Sequence, residues 1–335
     1  IWFDKNKVFK NISTTLCFRT ENRLNQKRWL LYVASFICVA LMGVAGFYSL
    51  SRYEGDSRQQ LHYTKTTKDI FEPGSKKAYL LLAGTEVIDL SEPFEISRED
   101  GTLISNNREL VSFKNEKPLK KPATQHTLHV PKGGEYELLL SDGSKVYINA
   151  ESQLSFPSHF NGDTRHVELI GEAFFEVKKD TKPFIVETAD IKIEVFGTSF
   201  NVNAYRNNPY VNATLVDGSI KVDLVGSPAS FTLTPKDNFS LDKLSHKLSI
   251  EPVNTDIYTA WIRGEFVFRN QALADIFSQL ERWYDFTILY ENPAIQSIRF
   301  TGSAEKARPL DYLLNQIQSV TDIRYRSEGE QIILY

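Results

Sequence analysis

The hydrophobic positions of the chain follow three patterns, one after another. Trp29–Leu50 contains no charged residue, and residues 70–248 consist of short alternating or apolar runs broken by Gly, Asp and Pro. From about residue 257 the apolar positions recur with a helical period. These patterns predict one apolar helix, then a mainly β region, then a small α+β region.

The uncharged run Trp29–Leu50 is long enough to cross a bilayer. As a helix it extends about 33 Å at ~1.5 Å per residue, against a hydrocarbon core of roughly 30 Å. The segment before it is rich in Lys and Arg, whereas the segment after it mixes both signs. Because basic flanks stay in the cytoplasm, we expect a cytoplasmic N-terminus and an exported C-terminal part. A cleaved signal peptide and a buried core helix are the alternatives, although signal peptides have only about 7–15 apolar residues.

The middle of the chain is predicted to be all β, because Val, Ile, Tyr, Phe and Thr dominate its runs. Residues 78–90, 136–149 and 215–224 form a weak strand–turn–strand repeat. The repeat favours stacked layers, as in a short β-solenoid or a sandwich, with a coincidence of common hairpin chemistry as the alternative. The polar stretch at residues 105–125 is expected to be a connector.

The last part of the chain shows two helix patterns. Their apolar positions are Leu273, Ile276, Phe277, Leu280 and Trp283, and then Leu310, Leu313, Leu314, Ile317 and Val320. Asn270 is the predicted N-cap of the first helix. Strands are predicted at 264–268, 285–289, 298–302, 322–325 and 331–335. The sequence therefore predicts a small βαββαββ module whose helices each bury one stripe on a sheet.

Composition and motifs exclude several classes of function. The net charge is −3 with the charges well mixed, which argues against a nucleic-acid surface. The two cysteines, Cys17 and Cys38, precede the exported part, so we expect no disulfide there. His126 and His129 would point to opposite faces of a strand, and no H-E-x-x-H motif occurs. We therefore expect no metal, no cofactor and no conventional active site.

Two features could still carry chemistry. Glu172 and Glu176 are four residues apart on a predicted strand, so they could act as a glycosidase acid and base, although a solvated strand face explains them better. Gly197–Thr198 could cleave itself if the Thr198 hydroxyl attacked the carbonyl of Gly197. A glycine at a strand bulge is the simpler interpretation of this pair.

Several longer motifs together resemble one family. They occupy residues 130–157, 165–188, 195–205, 214–222, 258–290 and 300–302. The sequence from about Tyr63 to Tyr335 resembles the FecR family of transmembrane anti-sigma regulators. Its last part is similar to the short N-terminal module of secretins and TonB-dependent transporters (STN).

The resemblance implies a non-enzymatic signalling protein of the inner membrane with one transmembrane helix. Residues 1–28 would be a cytoplasmic sigma-binding region that is either truncated or degenerate, 29–50 the membrane helix, 51–256 a periplasmic β domain and 257–335 an STN-like α+β domain. The partners would be an extracytoplasmic-function sigma factor, the signalling domain of a TonB-dependent outer-membrane transporter, and periplasmic and site proteases. Nucleic acid would not be a direct partner.

The resemblance also implies roles for particular residues. Some relatives cut themselves at the Gly-Thr pair that matches Gly197 and Thr198. The predicted topology, rather than the resemblance, makes the C-terminal module a candidate for strand addition by the transporter. The edge strand is expected at Gln331, Ile332, Ile333, Leu334 and Tyr335. The alternatives to a signal transducer are a periplasmic envelope scaffold and a carbohydrate-binding β domain.

Overall fold

The computed structural model describes residues 71–115 and 122–335. The predicted membrane helix 29–50 and the segment 1–28 lie outside these residues. Among the helices of the described ranges, none combines the length and the apolar character needed to span a bilayer.

The β part begins at residue 75 and contains β1 to β19 within the described residues. The first strands are β1 (Ser75–Lys76), β2 (Tyr79–Leu82), β3 (Glu86–Asp89), β4 (Phe94–Ser97), β5 (Thr102–Asn106), β6 (Leu110–Asn115), β7 (Gln125–Val130), β8 (Gly134–Leu139), β9 (Lys145–Ile148) and β10 (Ser152–Pro157). They continue as β11 (Arg165–Glu176), β12 (Phe184–Glu187), β13 (Ile191–Val195), β14 (Ser199–Ala204), β15 (Tyr210–Asp217), β16 (Ile220–Leu224), β17 (Ser230–Leu233), β18 (Asp237–Asp242) and β19 (Leu248–Pro252).

These strands form one continuous sheet that curls into two ladders. The first ladder has the order β3-β2-β7-β10-β11-β12-β13-β16-β17, and the second has the order β4-β5-β6-β8-β9-β11-β14-β15-β18-β19. Apolar side chains from both ladders meet in one buried cluster. The prediction of a mainly β region is confirmed, and the two ladders face each other across a common core as in a sandwich.

Strand β11 belongs to both ladders and changes partner at Gly171. Its first half pairs with β10 and β12, and its second half, from Gly171, pairs with β9 and β14. Gly171 has φ of +99°, and a Cβ there would lie 2.3 Å from Ser152 Oγ. Only glycine fits this close approach, so Gly171 allows one strand to join the two ladders.

Two predictions for the β part are wrong in detail. The expected connector at residues 105–125 contains the end of β5 and all of β6, because Val111 and Phe113 in β6 reach the core. The first two copies of the repeat form the hairpins β2–β3 and β8–β9, but the third does not. There, Gly218 (φ +96°) lies in a crossing between ladders, which leaves β15 and β16 in different ladders.

The C-terminal module follows a short helix, α1 (Asp256–Thr259), and a 3-10 turn (Ala260–Arg263). Its elements are β20 (Glu265–Ala272), α2 (Leu273–Tyr284), β21 (Thr287–Tyr290), a 3-10 turn (Pro293–Ser297), β22 (Arg299–Glu305), α3 (Leu310–Val320), β23 (Tyr325–Glu328) and β24 (Gln331–Leu334). The order of strands and helices is the predicted βαββαββ.

Two small sheets and a second apolar core make up the C-terminal module. β20 pairs with β22, and a separate sheet has the order β21-β24-β23. The predicted helix stripes are buried in this core, except that Val320 is 69% exposed at the end of α3. Asn270 is not the N-cap of α2, which begins after Ala272. Asn270 instead lies at a bulge of β20, with φ of +47° and its N–H donating to Thr301 Oγ1 (2.8 Å).

Candidate functional site

The C-terminal module packs against the outward face of the second ladder. Phe200 and Val202 of β14 enter the core, so Asn201 between them points outward. Trp261 Nε1 reaches across and donates to Asn201 Oδ1 (3.2 Å). The interface between the two parts is therefore anchored on polar side chains of the sheet, and two buried cations of the C-terminal module reinforce it.

Arg282, in the last turn of α2, is the first of these cations. Its guanidinium lies 3.9 Å from the ring centroid of Tyr205, and Nε donates to Glu151 Oε2 (3.2 Å). Nη2 donates to the side-chain oxygens of Asn207 (3.1 Å) and Asn208 (2.7 Å). The side chain is buried, and each contact joins the C-terminal module to the β part. Because the guanidinium of Arg282 is buried, its cation–π contact with Tyr205 is stronger than the same contact would be in water.

Lys306, directly after β22, is the second cation. Its Nζ lies 3.7 Å from the ring centroid of Trp283 and 2.7 Å from Glu135 Oε2. Burial lowers the pKa of Lys306, and the carboxylate of Glu135 opposes this shift. The pair Lys306–Glu135 thus joins β8 to the C-terminal module, and removal of Glu135 would leave the buried Lys306 ammonium without its ion partner.

Glu172 lines the cleft at this interface and is held by two amides. Asn149 Nδ2 donates to Glu172 Oε2 and Asn201 Nδ2 donates to Oε1, both at 2.9 Å. Glu176 is exposed and lies four residues further along β11. Positions four apart on a strand are separated by about 13 Å at ~3.3 Å per residue. This exceeds the roughly 5–9.5 Å between carboxyl groups in glycosidases, so the geometry does not favour a glycosidase pair.

A cleft of about 630 Å³ remains where the two parts meet. Its lining is rich in amide side chains, including Asn203 and Gln271, and also contains Arg282, Lys306 and Glu172. Arg282 and Lys306 bind partners across the interface, whereas Glu172 is held by amides of the β part itself. The arrangement can therefore position the C-terminal module on the sheet, and it shows no nucleophile with an adjacent base among the described residues that line it.

Gly197 and Thr198 lie where the chain crosses from β13 in the first ladder to β14 in the second. Two neighbouring segments contact this crossing. Val177 N–H donates to Thr198 O (3.0 Å), and Thr198 Oγ1 donates to Ser219 O (3.0 Å). The crossings therefore stack on one another, and Thr198 is buried within them.

The glycine is required at this crossing by close packing. A Cβ on Gly197 would lie 2.8 Å from the Cα of Lys179. The segment carrying Lys179 is held in turn by Arg165, whose Nη1 donates to Lys178 O and to Asp142 Oδ2, both at 2.8 Å. Close packing at the crossing explains the glycine, and a register shift in the β14–β15 pairing follows at Ser199.

The expectation that Gln331–Tyr335 form an edge strand is wrong. Gln331–Leu334 form the central strand β24, paired in parallel with β21 and antiparallel with β23. Ile332, Ile333 and Leu334 are buried, whereas Tyr335 is 45% exposed. The last strand can enter the middle of the sheet because strand order is not set by order along the chain. Whether these residues bind a partner stays a prediction.

Apart from Glu172, the residues that build the interface carry no distinctive signal in the sequence. Arg282 and Lys306 have the local pattern of solvated charges, near a helix end and after a strand. Their burial arises only when the C-terminal module contacts the sheet. The described ranges also contain no group of three metal-ligating side chains.

The comparisons with known proteins agree on one family. A family model described as "FecR protein" matches residues 126–221, and one described as "FecR, C-terminal" matches residues 265–334. Two crystal structures of a "putative anti-sigma factor" from Parabacteroides distasonis ATCC 8503, at 1.65 and 2.50 Å, are similar to the chain at 31% sequence identity, each with a TM-score of 0.59. They cover 62% and 63% of this chain, and the matches span 98% of each structure. A comparison with curated proteins gives no significant match.

Proposed function

The chain belongs to the FecR family, whose members are regulators rather than enzymes, and we propose that it relays a signal by binding and regulated proteolysis. The observation that carries this proposal is the likeness to an anti-sigma structure across 98% of that structure. An anti-sigma role implies a sigma factor as partner. The interface between the β part and the C-terminal module is the element through which a signal could act.

The proposed arrangement places the two ends of the chain in two compartments. FecR proteins are generally membrane-anchored. The basic residues before Trp29–Leu50 support a single inner-membrane helix with a cytoplasmic N-terminus. Residues 1–28 would then contact an extracytoplasmic-function sigma factor, 51–256 would form the periplasmic β domain and 257–335 the STN-like domain.

A reporter of sigma-dependent transcription tests this role. Cells that lack the chain should show raised transcription, and the full chain supplied in trans should restore repression. A periplasmic scaffold would leave the reporter unchanged in both strains, and that result would remove the anti-sigma proposal.

The proposed periplasmic partner is the signalling domain of a TonB-dependent transporter, bound by strand addition at β21. In that strand Leu289 is 43% exposed, and the Ile288 N–H donates to a side chain, Glu281 Oε1 (2.7 Å). A capping carboxylate protects a sheet edge from unspecific pairing and can be displaced by a partner strand.

The β21 contact is tested by a pull-down of the transporter signalling domain with the full chain. Leu289→Arg should weaken capture at least about ten-fold, which corresponds to ~1.4 kcal/mol. Val320→Arg is the matched control, because Val320 is an exposed apolar residue of the same module outside β21. Equal capture by both variants would rule out β21 as the contact.

A second proposal concerns self-cleavage at Gly197–Thr198, which the family resemblance supports. Thr198 Oγ would attack the carbonyl carbon of Gly197, the peptide C–N bond would break and the nitrogen would become the amine of Thr198. Water would then hydrolyse the ester, leaving a carboxylate on Gly197 and restoring the hydroxyl.

Gel electrophoresis of the purified full chain tests the self-cleavage proposal. The parent should give two fragments and Thr198→Ala one uncut band. Thr198→Ser should still cleave, although more slowly, because serine retains the hydroxyl nucleophile. A single uncut band from the parent would end the proposal.

A further inference from the structure

The first described residues of the chain are held by its last part. The ring of Phe71 lies 5.6 Å from that of Phe286 and packs against the core of the C-terminal module. The N–H of Leu310, at the start of α3, donates to Phe71 O (3.4 Å). Although Phe71 precedes the whole β part in sequence, it is therefore anchored in the C-terminal module, which follows the β part.

The next residues pass between the C-terminal module and the β part. A Cβ on Gly74 would lie 2.7 Å from both Gly133 O and the ring of Trp283. Ser75 N–H donates to the same carbonyl of Gly133 (2.9 Å), and β1 pairs in parallel with β8. Residues 71–76, here called the entry segment, are thus enclosed on one side by α2 and on the other by the β8 end of the sheet.

The entry segment also shares an ion contact with the interface. The ammonium of Lys76 lies 3.4 Å from Glu135 Oε1, and Lys306 Nζ lies 2.7 Å from Glu135 Oε2. One carboxylate of β8 therefore binds the entry segment and the C-terminal module together. Movement of the module away from the sheet would break the Lys306 contact. Residues 75 and 76 would then be held only by the Lys76 ion contact and the two-residue β1 pairing, both within the β part.

We propose that residues 72–77, which comprise the entry segment after its anchor Phe71 together with the following Lys77, are a conditional protease site. The site is closed while the C-terminal module is docked and opens when a partner shifts the module. Phe286, which holds Phe71, directly precedes β21. Binding at the β21 edge thus acts next to the anchor of the entry segment. The inference rests on the proposed function, because it specifies where regulated proteolysis would occur. The protease would hydrolyse one peptide bond, water supplying the hydroxyl of the new carboxylate and a proton of the new amine.

Docking of the C-terminal module should protect this site from proteases, because proteases cleave only unpaired chain. A protease needs several residues of extended, unpaired chain, so cleavage of a paired segment tracks the population of its locally opened state. In the docked state the entry segment is held by the Phe71 ring, by the β1 pairing and by the Lys76 ion contact. A change that opens only this segment should raise cleavage there and leave both cores folded.

Limited trypsin digestion of the full chain in mild detergent tests the proposal, because trypsin cuts after Lys76 and Lys77. Gly74→Ala adds a methyl group where Gly133 and Trp283 leave no room. It should raise the rate of appearance of fragments that begin at Lys77 or Ala78 at least about ten-fold, or ~1.4 kcal/mol of opening. Ser75→Ala is the matched control, since the Ser75 side chain is exposed, and should cleave at the parental rate.

A second variant keeps the test decisive if Gly74→Ala lowers the unfolding midpoint. Phe71→Ala removes the anchor ring without adding a clash and should show the same rise in those fragments, with near-UV circular dichroism unchanged. Parental cleavage rates in both variants would overturn the conditional site and leave the anti-sigma role untouched. An unchanged sigma-dependent reporter in cells lacking the chain would remove the anti-sigma role and leave the digestion result standing.

Discussion

Replacement of Arg282 by Met should weaken the attachment of the C-terminal module to the β part. Methionine keeps much of the apolar stem over Tyr205 but removes the charge. The lost contacts are the ion pair to Glu151, the hydrogen bonds to Asn207 and Asn208, and the cation–π contact at 3.9 Å. The change therefore acts on the interface while the two apolar cores keep their side chains.

The size of this effect follows from the burial of each partner. Hydrogen bonds to a charged group contribute about 1.5–3 kcal/mol each, and a desolvated cation–π contact about 2 kcal/mol. The side chain of Glu151 is 38% exposed and Asn207 is exposed, so both can bind water once Arg282 is gone. Removal of the charge also relieves the cost of burying it. We therefore expect a loss of about 2–4 kcal/mol in the free energy of unfolding, at the lower end if the loop carrying Asn207 relaxes.

Urea unfolding followed by tryptophan fluorescence measures this loss, because Trp261 and Trp283 lie at the interface. Arg263→Met is the matched control. Arg263 also pairs with a carboxylate, Asp256 at 3.2 Å, but its side chain is 53% exposed, so it should change stability by less than about 0.5 kcal/mol. Equal midpoints for the two variants would refute the role assigned to Arg282.

Three further changes test other parts of the fold. Burial beside Phe113 and Phe156 lowers the pKa of His126 from 6.5 to about 4. The unfolded chain therefore binds the proton more tightly, and stability that is present above pH 6.5 is lost as the pH falls toward 4, by about 3 kcal/mol at 1.36 kcal/mol per unit. His126→Gln should flatten this part of the profile of unfolding free energy against pH, and an unchanged slope would contradict the assignment. Arg165→Met leaves the nearly buried Asp142 without its partner at 2.8 Å and should cost about 3–5 kcal/mol in urea unfolding. A loss below about 1 kcal/mol would show that Asp142 finds water instead. Gly197→Ala forces a methyl group against the Lys179 backbone and should lower stability by about 1–3 kcal/mol. Thermal unfolding at the parental midpoint would show that the segments carrying Gly197 and Lys179 can move apart without cost.

The sequence predicts most reliably where burial follows a local period. The stripe that includes Leu273, Phe277 and Leu280 is buried as predicted, because a helix presents these positions on one face. The end of the second stripe fails at Val320, where the helix finishes beyond the edge of the core. The sequence does not predict β6, because this strand lies among polar residues and two inward side chains are too few to give a clear alternation.

The candidate site could not be predicted from the sequence because it depends on contacts distant in the chain. Glu135 and Lys306 are far apart in sequence, and neither has a local signal for burial. The central position of β24 likewise depends on which strands it meets, β21 and β23, rather than on its own residues. Local patterns determine which elements form, and tertiary pairing determines which of their residues are available to a partner.

Restraint of a sigma factor by the chain is measured most directly by sigma-dependent transcription. A reporter should be compared in cells that carry the full chain, cells that lack it, and cells complemented with it. Transcription should be higher without the chain and return to the low level on complementation. Equal transcription in all three strains would show that the chain does not restrain a sigma factor.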